Sequence, residues 1–179
     1  MSKTIQIHDL SFELFISQEK IQAKVKALGA EIALKYAHKN PLFVGILNGA
    51  FVFTADLVRA CLFESEVTFL KVQSYDGLQS TGKLTTLLDF QQDIKDRHII
   101  LVEDIIDTGT TFFHLLPTIQ AKHPASIAIA TLLRKPAAIK HPIDVAFVGF
   151  DIPNKFVIGY GLDYNEQARN LPAIYKLVD

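Results

Sequence analysis

Three acidic residues follow an apolar run, in a part of the chain that combines several groups able to bind a charged ligand. Residues 99–111 read IILVEDIIDTGTT, so Glu103, Asp104 and Asp107 come at the end of a predicted buried strand. Carboxylates in this position can bind a divalent cation, accept hydrogen bonds from hydroxyls or take up a proton. A solvated acidic loop that only caps the next helix is the alternative interpretation.

The turn after these acids has the composition of a phosphate-binding loop. Backbone N–H groups at the start of a helix attract anions, a glycine permits close approach of the backbone, and hydroxyls add donors. The carboxylates would repel the same phosphate, so they must face sugar hydroxyls or a hard cation such as Mg²⁺. The pattern therefore predicts a site for a phosphorylated sugar and a metal ion. The predicted phosphate loop consists of Thr108, Gly109, Thr110 and Thr111.

Hydrophobic periodicity predicts strands that alternate with helices, which indicates an α/β fold with a mostly parallel sheet and helices on both faces. Ser17 is the expected N-cap of the first helix. Ligands of such sheets bind at the carboxyl ends of the strands, where the turns 47–50, 103–111 and 133–136 fall. The predicted helices cover 17–38, 51–63 and 110–123, and the predicted strands cover 42–47, 66–74, 85–90, 97–104, 126–133, 145–150 and 156–162.

The composition limits the classes of protein to consider. The chain has 179 residues, of which 49% are hydrophobic and 21% charged, and this predicts a single globular domain over 1–179. With a net charge of −1 and no basic cluster, we expect neither a nucleic-acid nor a membrane partner. The single cysteine, Cys61, lies in an apolar stretch and is interpreted as a buried hydrophobic residue of a cytoplasmic protein.

The stretch LVEDIIDTGTT resembles the phosphoribosyl pyrophosphate (PRPP) signature of the type I phosphoribosyltransferases, and further motifs follow in the order of that family. LNGAF at 47–51 resembles the pyrophosphate-binding turn of its 6-oxopurine enzymes, and SYDGLQSTG at 74–82 resembles their lid. LLRKP at 132–136 resembles the turn with their purine-reading lysine, and residues 148–172 resemble their base-binding hood.

The resemblance implies an enzyme that transfers the phosphoribosyl group of PRPP to a 6-oxopurine base, hypoxanthine and also guanine, and releases pyrophosphate. It implies the type I phosphoribosyltransferase fold: a mostly parallel, twisted sheet flanked by helices, with a core over about 17–147. A small hood would be formed by about 148–179 together with the N-terminal residues, and a flexible lid by 75–84. Mg²⁺ is the implied cofactor, PRPP and a purine base are the implied small-molecule partners, and a homodimer or homotetramer is the implied assembly.

The resemblance also implies roles around the sugar phosphate. Asp107 matches the general base that faces purine N7, with helix capping as its alternative or additional role. Glu103 and Asp104 match the pair that faces the ribose hydroxyls and the metal. The loop from Thr108 to Thr111 matches the 5′-phosphate loop, in which Thr110 stands where some relatives carry lysine or arginine.

On the purine side, Lys135 matches the lysine that donates to O6, against the alternative of an exposed surface lysine. Arg134 is a weaker candidate for that role. Phe156 matches the aromatic residue that stacks on the base, although an aromatic residue at a strand start is more often part of a core. Val157 matches the position whose backbone reads the base edge, and Asp163 matches an acid beside the base that helps to hold a second Mg²⁺.

The implied pyrophosphate and lid residues come from four separate segments. Asn48 replaces a lysine of many relatives, but a turn that binds through backbone N–H groups would survive that change. For Arg169 the alternative is a surface charge on a helix. The implied pyrophosphate residues are Leu47, Asn48, Gly49, Lys71 and Arg169, and the implied lid residues are Ser74 and Tyr75.

Two other classes of protein remain alternatives. A non-catalytic nucleotide sensor could use the same fold, but such regulators often add a basic face, and this chain has no Lys/Arg cluster. A doubly wound phosphoacceptor domain would need acids from separate strands and a lysine at a strand end. It would not explain the TGTT turn or the hood.

Overall fold

The computed structural model describes residues 4–74, 84–88 and 92–178. Three helices alternate with the strands of two sheets, and a short 3₁₀ helix covers Pro136–Ala138. The helices are α1 (Gln18–Tyr36), α2 (Phe51–Ala60) and α3 (Thr110–Gln120). The strands are β1 (Thr4–Ile7), β2 (Leu10–Ile16), β3 (Leu42–Leu47), β4 (Glu66–Ser74), β5 (Leu84–Leu88), β6 (His98–Ile106), β7 (Ser126–Arg134), β8 (Phe147–Asp151), β9 (Val157–Ile158) and β10 (Ile174–Leu177).

The main sheet has the strand order β5-β4-β3-β6-β7-β8. Five of its strands are parallel and only the edge strand β5 is antiparallel, which confirms the predicted mostly parallel sheet. Alternate residues of β3 point to opposite faces: Phe43 belongs to the core under α1 and α2, whereas Leu42 and Val44 belong to the core under α3. Helices therefore cover both faces.

Helix α1 begins where the sequence predicted, because Ser17 Oγ accepts a hydrogen bond from the Lys20 N–H at 3.5 Å. Its buried stripe repeats every three or four residues and faces the sheet. Gly29 brings α1 close to α2, since a Cβ atom at this position would lie 2.7 Å from the carbonyl oxygen of Ala60. The buried stripe of α1 consists of Ile21, Val25, Leu28, Gly29, Ile32 and Tyr36.

A second, antiparallel sheet joins the two ends of the chain in the order β1-β2-β10-β9. The sequence did not predict β1, β2 or β10 as strands. The predicted strand over 156–162 was wrong beyond Ile158, because Gly159, Tyr160 and Gly161 have φ angles of +96°, +53° and +103°. Backbone in the left-handed region cannot continue a strand, so this segment forms a turn after β9.

Smaller differences concern the ends of elements. Helix α2 ends at Ala60 rather than 63, because Cys61 has an extended backbone. Helix α3 includes Pro117 as predicted but ends at Gln120. The predicted lid lies outside the described residues except for Leu84, which begins β5. No helix among the residues that the structure describes is long and apolar enough to cross a membrane.

Cys61 lies in the core under α1 and α2, as the sequence predicted. Burial raises the pKa of its thiol to about 11, so little reactive thiolate forms near neutral pH. We expect the folded protein to resist an aromatic disulfide reagent at about pH 8 and the denatured chain to release one equivalent of thiolate rapidly. Rapid reaction of the native protein, measured by absorbance, would contradict this assignment.

Candidate active site

Asp107 and Lys135 meet at the carboxyl ends of two neighbouring parallel strands. Ile106 of β6 and Arg134 of β7 are paired across the sheet, and the Lys135 N–H donates to the carbonyl oxygen of Ile106 at 2.9 Å. The next residues therefore face each other, and Lys135 Nζ lies 2.7 Å from Asp107 Oδ2. The Lys135 side chain is only 8% exposed but that of Asp107 is 46% exposed. A buried cation is thus paired with a carboxylate that a ligand can still reach.

Two alternatives from the sequence are excluded by these contacts. Lys135 is not a surface lysine. Arg134, the weaker candidate for the same role, forms a two-pronged ion pair with Asp151, with Nε–Oδ1 and Nη2–Oδ2 distances of 2.7 and 3.0 Å. Lys135 is therefore the basic residue of this turn that lies beside Asp107.

The predicted phosphate loop forms the entry to α3. Gly109 is the N-cap residue with φ +81°, and α3 has no side-chain cap among the described residues, so the proposal that Asp107 caps this helix was wrong. Thr108 Oγ1 lies 2.9 Å from Thr110 Oγ1 and accepts a long hydrogen bond of 3.4 Å from the Thr110 N–H, beside the other N–H groups at the start of α3. Residues 105–112 and Glu103 line a cavity of about 90 Å³. This arrangement of helix N-terminus and hydroxyls suits an anion.

A segment that the sequence did not single out supports this loop from behind. The N–H groups of Lys140 and His141 both donate to the carbonyl oxygen of Thr108, at 3.0 and 3.1 Å. Gly109 lies directly against the same segment, since a Cβ atom there would be 2.6 Å from the carbonyl oxygen of His141. The support comes from backbone atoms, so no side-chain motif could have revealed it.

Glu103, which is partly buried, and Asp104, which is buried, form an acidic pair beside the loop. Glu103 Oε2 is buried and has no hydrogen-bond partner among the described residues. Burial, the charge of Asp104 and a hydrogen bond to it raise the pKa of Glu103 well above its ordinary value. Burial also raises the pKa of Asp104, against hydrogen bonds from Glu103 and the Ile105 N–H and the charge of Arg169. A buried carboxylate oxygen without a partner favours a cation or a hydroxyl as its ligand.

The turn after β3 packs directly onto this acidic pair. Any side chain at Gly49 would collide with the carboxylate of Asp104. The exposed Asn48 precedes this glycine, and Lys71 of β4 is aligned with Leu47 across the sheet. The structure thus brings the predicted pyrophosphate residues of β3 and β4 to the same strand ends as the acidic pair.

The C-terminal part of the chain adds Arg169 and Asp163 to this region. Arg169 is not on a helix: its Nη1 donates to the carbonyl oxygen of Gly161 at 3.0 Å, and its Nη2 lies 2.9 Å from Asp163 Oδ1. Gly161 in turn lies against the carbonyl oxygen of Gly49. The alternative of a surface helix charge is therefore excluded for Arg169. Asp163 is paired with Arg169, and the described residues contain no cluster of three acidic, His or Cys side chains suited to a metal ion.

Phe156 and Val157 lie at the second sheet. The Phe156 side chain is exposed rather than part of a core, and its ring centroid lies 6.1 Å from Phe12 and 5.9 Å from Tyr164. Val157 is buried in β9 opposite Lys176. An open aromatic face backed by other rings can stack on a planar base. Of the predicted lid residues, Ser74 ends β4, while its side chain and all of Tyr75 lie outside the described part of the chain.

Comparison with known proteins agrees with this geometry. A family model described as "Phosphoribosyl transferase domain" matches residues 16–165, so the chain belongs to the phosphoribosyltransferase family. Within that family it is 43% identical to the hypoxanthine-guanine phosphoribosyltransferase of Bacillus subtilis over 168 residues, or 93% of each chain. It is 38% identical over 175 residues to the hypoxanthine-guanine-xanthine phosphoribosyltransferase of Tritrichomonas foetus, covering 97% of this chain and 95% of that one.

Solved structures show the same similarity. A hypoxanthine phosphoribosyltransferase from Staphylococcus aureus superposes with a TM-score of 0.89 and 38% sequence identity, covering 93% of this chain and 91% of that one. The described α/β architecture, with its five parallel strands and flanking helices, is therefore the fold of the type I phosphoribosyltransferases.

Replacement of Gly49 by alanine tests the turn after β3. Because the new methyl group would occupy the place of the Asp104 carboxylate, turn and acid must separate, and we expect the KM for PRPP to rise by about tenfold or more. Asn48→Ala, which removes a neighbouring exposed side chain, should raise it less if the turn binds through its backbone. Steady-state kinetics of both variants decide this, and equal KM values for Gly49→Ala and wild type would contradict the placement of the turn.

Proposed function

We propose that the protein transfers the 5-phosphoribosyl group of PRPP to N9 of hypoxanthine, and of guanine, giving the nucleoside monophosphate and pyrophosphate. The observation that carries the proposal is the pair of Lys135 and Asp107, with a Nζ–Oδ2 distance of 2.7 Å, next to an uncapped helix N-terminus. The names of the relatives support this substrate class.

The pair suits the edge of a 6-oxopurine. O6 of such a base accepts a hydrogen bond, while the neighbouring N7 carries a proton that must leave as N9 attacks the sugar. The Lys135 ammonium donates to O6, and the Asp107 carboxylate accepts the proton from N7. Adenine presents an amino group at C6, which would place a donor against the donor of Lys135, and buried sites discriminate strongly against such mismatches.

The sugar phosphate fits the remaining strand ends. The 5′-phosphate would bind to the N–H groups and hydroxyls from Thr108 to Thr111, where the helix dipole also favours an anion. The ribose hydroxyls would bind to Glu103 and Asp104. Pyrophosphate would bind to the turn with Gly49 and to Arg169, whose guanidinium can neutralise the leaving group.

The residues present also suit Mg²⁺. Glu103 Oε2 is buried without a partner among the described residues, which is unusual unless a ligand binds there. Mg²⁺ is commonly held by one or two carboxylates and by substrate phosphates, so a cluster of three protein ligands is not required. Glu103 and Asp104 would hold one ion on the ribose side, and Asp163 would help to hold a second ion on the pyrophosphate side. When bound, the ion neutralises charge on the departing pyrophosphate.

The proposal also assigns roles to the second sheet and to the lid. The second sheet, with Phe156 stacked on the purine and the Val157 backbone at its edge, serves as the base-binding hood of one phosphoribosyltransferase domain. Residues 75–84, with Ser74 and Tyr75, close over PRPP and exclude water. We further propose a homodimer or homotetramer in the cytoplasm.

The proposed activity is tested by steady-state kinetics with PRPP, Mg²⁺ and each of hypoxanthine, guanine, xanthine and adenine. We expect stoichiometric pyrophosphate release with hypoxanthine and guanine and little with adenine. A non-catalytic nucleotide sensor would bind nucleotide but release no pyrophosphate with any base.

Lys135→Ala tests the assignment of the purine-reading residue. Removal of the O6 donor should weaken hypoxanthine binding and reduce the preference for hypoxanthine over adenine, in kcat/KM, by roughly tenfold or more. Arg134→Ala is the matched control, because Arg134 is paired with Asp151 and should leave the preference unchanged. An unchanged preference in Lys135→Ala would remove the residue from base recognition.

Asp107→Asn tests the general base. The amide keeps an oxygen that Lys135 can donate to, and no helix cap is lost, so the protein should remain folded. We expect kcat to fall by roughly 10²–10⁴, the usual effect of a positioned acid–base group, while PRPP still binds to the backbone of the phosphate loop.

The matched control is Asp151→Asn, which breaks the half-exposed ion pair with Arg134 at the end of the neighbouring strand. Its kcat should stay at the wild-type level. A kcat of Asp107→Asn within about threefold of wild type, far from the acid–base range, would show that Asp107 is not the base.

A further inference from the structure

A partly buried hydrogen bond connects the turn after β9 to α2. The Tyr160 hydroxyl donates to Asp56 Oδ2 at 2.6 Å, although the two residues are 104 positions apart in the chain. Tyr160 is buried, whereas the Asp56 side chain is 35% exposed and also lies 3.5 Å from the guanidinium of Arg59. Neither residue belongs to the reaction chemistry described above.

Both ends of this hydrogen bond are close in sequence to pyrophosphate residues. Helix α2, which carries Asp56, begins at Phe51, directly after the turn with Gly49. Tyr160 directly precedes Gly161, which lies against the carbonyl oxygen of Gly49 and accepts a hydrogen bond from Arg169. The two segments are therefore joined by the backbone contact and the Tyr160–Asp56 hydrogen bond, in addition to the apolar core that Tyr160 shares with Phe53 and Leu57.

The backbone conformation of Tyr160 indicates that this contact has a functional role. A tyrosine at φ +53° is unfavourable, and it stands between two glycines that adopt positive φ angles more easily. The N–H groups of Tyr160 and Gly161 bond to the carbonyl oxygens of Leu171 and Arg169, at 2.8 and 3.0 Å, which holds the turn in place. Strained residues persist where the surrounding contacts fix them, often beside functional sites.

We propose that Tyr160 is a positioning residue, whose hydrogen bond to Asp56 holds Gly161, and with it the Arg169–Asp163 pair, against the pyrophosphate-binding turn. The proposal rests on the proposed function. Tyr160 acts on PRPP only through other residues: without the bond, apolar packing and the Gly161–Gly49 contact alone hold the turn after β9 against α2, so the turn can shift and Arg169 is less firmly positioned relative to Gly49.

The hydroxyl is suited to a permanent role as donor. Burial and the Asp56 carboxylate raise the pKa of Tyr160 far above its ordinary value, so the phenol stays protonated under all assay conditions. Asp56 is the acceptor, and its partial exposure means that water can solvate it when the hydroxyl is removed. Tyr160→Phe keeps the buried ring, so this variant should fold.

The test compares Tyr160→Phe with wild type by calorimetric binding of PRPP with Mg²⁺ and by steady-state kinetics. Loss of a hydrogen bond to a charged group can change an equilibrium constant by more than tenfold. Because PRPP binding depends on this bond only in part, we expect the Kd and KM for PRPP to rise by about three- to tenfold. The kcat and the KM for hypoxanthine should stay within about twofold. A lower melting temperature with unchanged PRPP affinity would show a merely structural role and overturn the proposal.

Three further variants sharpen the test. Asp56→Asn retains an acceptor oxygen and should restore most of the PRPP affinity that Asp56→Ala loses. The double variant Tyr160→Phe/Asp56→Ala should bind PRPP no more weakly than Asp56→Ala, because both changes remove one interaction. Tyr175→Phe, the same chemical change at a buried tyrosine of β10, should bind PRPP like wild type. Additive losses in the double variant, or an equal loss in Tyr175→Phe, would overturn the proposal.

The binding measurement also separates this proposal from the proposed function. If wild type binds PRPP but converts no purine base, the proposed function fails while the Tyr160 comparison still decides the role of the hydrogen bond. If wild type does not bind PRPP at all, both proposals are wrong.

Discussion

The aligned carboxyl ends of three parallel strands, β3, β6 and β7, hold the groups of the active site in place. Pairing of Ile106 with Arg134 makes Asp107 and Lys135 the first residues beyond the paired strands, and their side chains meet at 2.7 Å. On the other side of β6, the turn after β3 approaches Asp104 so closely that only glycine fits at position 49. A shift of either strand would separate Asp107 from Lys135, or the turn from the acidic pair.

The second sheet shares a buried core with the main sheet, since Val157 and Ile174 pack in the same cluster as Phe43 of β3, and backbone contacts extend this arrangement to the site. Gly161 rests on the carbonyl oxygen of Gly49, and Arg169 donates to the carbonyl oxygen of Gly161 while it pairs with Asp163. The turn after β3 is therefore joined to the Arg169–Asp163 pair by a short chain of contacts. Small changes at Gly49 or in the turn after β9 should therefore displace the Arg169–Asp163 pair.

Sequence patterns that repeat over a few residues predicted much of this structure, whereas contacts between residues far apart in the chain were not predicted. The stripe of α1, its cap at Ser17 and the buried run of β6 repeat over a few residues and were confirmed. Strand β10 was missed because its pairing joins distant residues, such as Glu13 and Lys176, whereas β1 and β2 form a local hairpin with Ile7 opposite Leu10 that was also missed. The DTG motif indicated the phosphate loop, but neither the backbone support from His141 nor the Lys135–Asp107 contact has a signal in sequence spacing.

The central claim is that Asp107 takes a proton from purine N7 while Lys135 donates to O6. The most direct measurement uses 7-deazahypoxanthine, which keeps O6 but has a carbon-bound hydrogen in place of the N7 proton. The account predicts that this analogue competes with hypoxanthine for the site but releases pyrophosphate at least about a hundredfold more slowly, since acid–base transfer at N7 is lost. Release at a rate comparable to that with hypoxanthine would contradict the assignment of Asp107 as the general base.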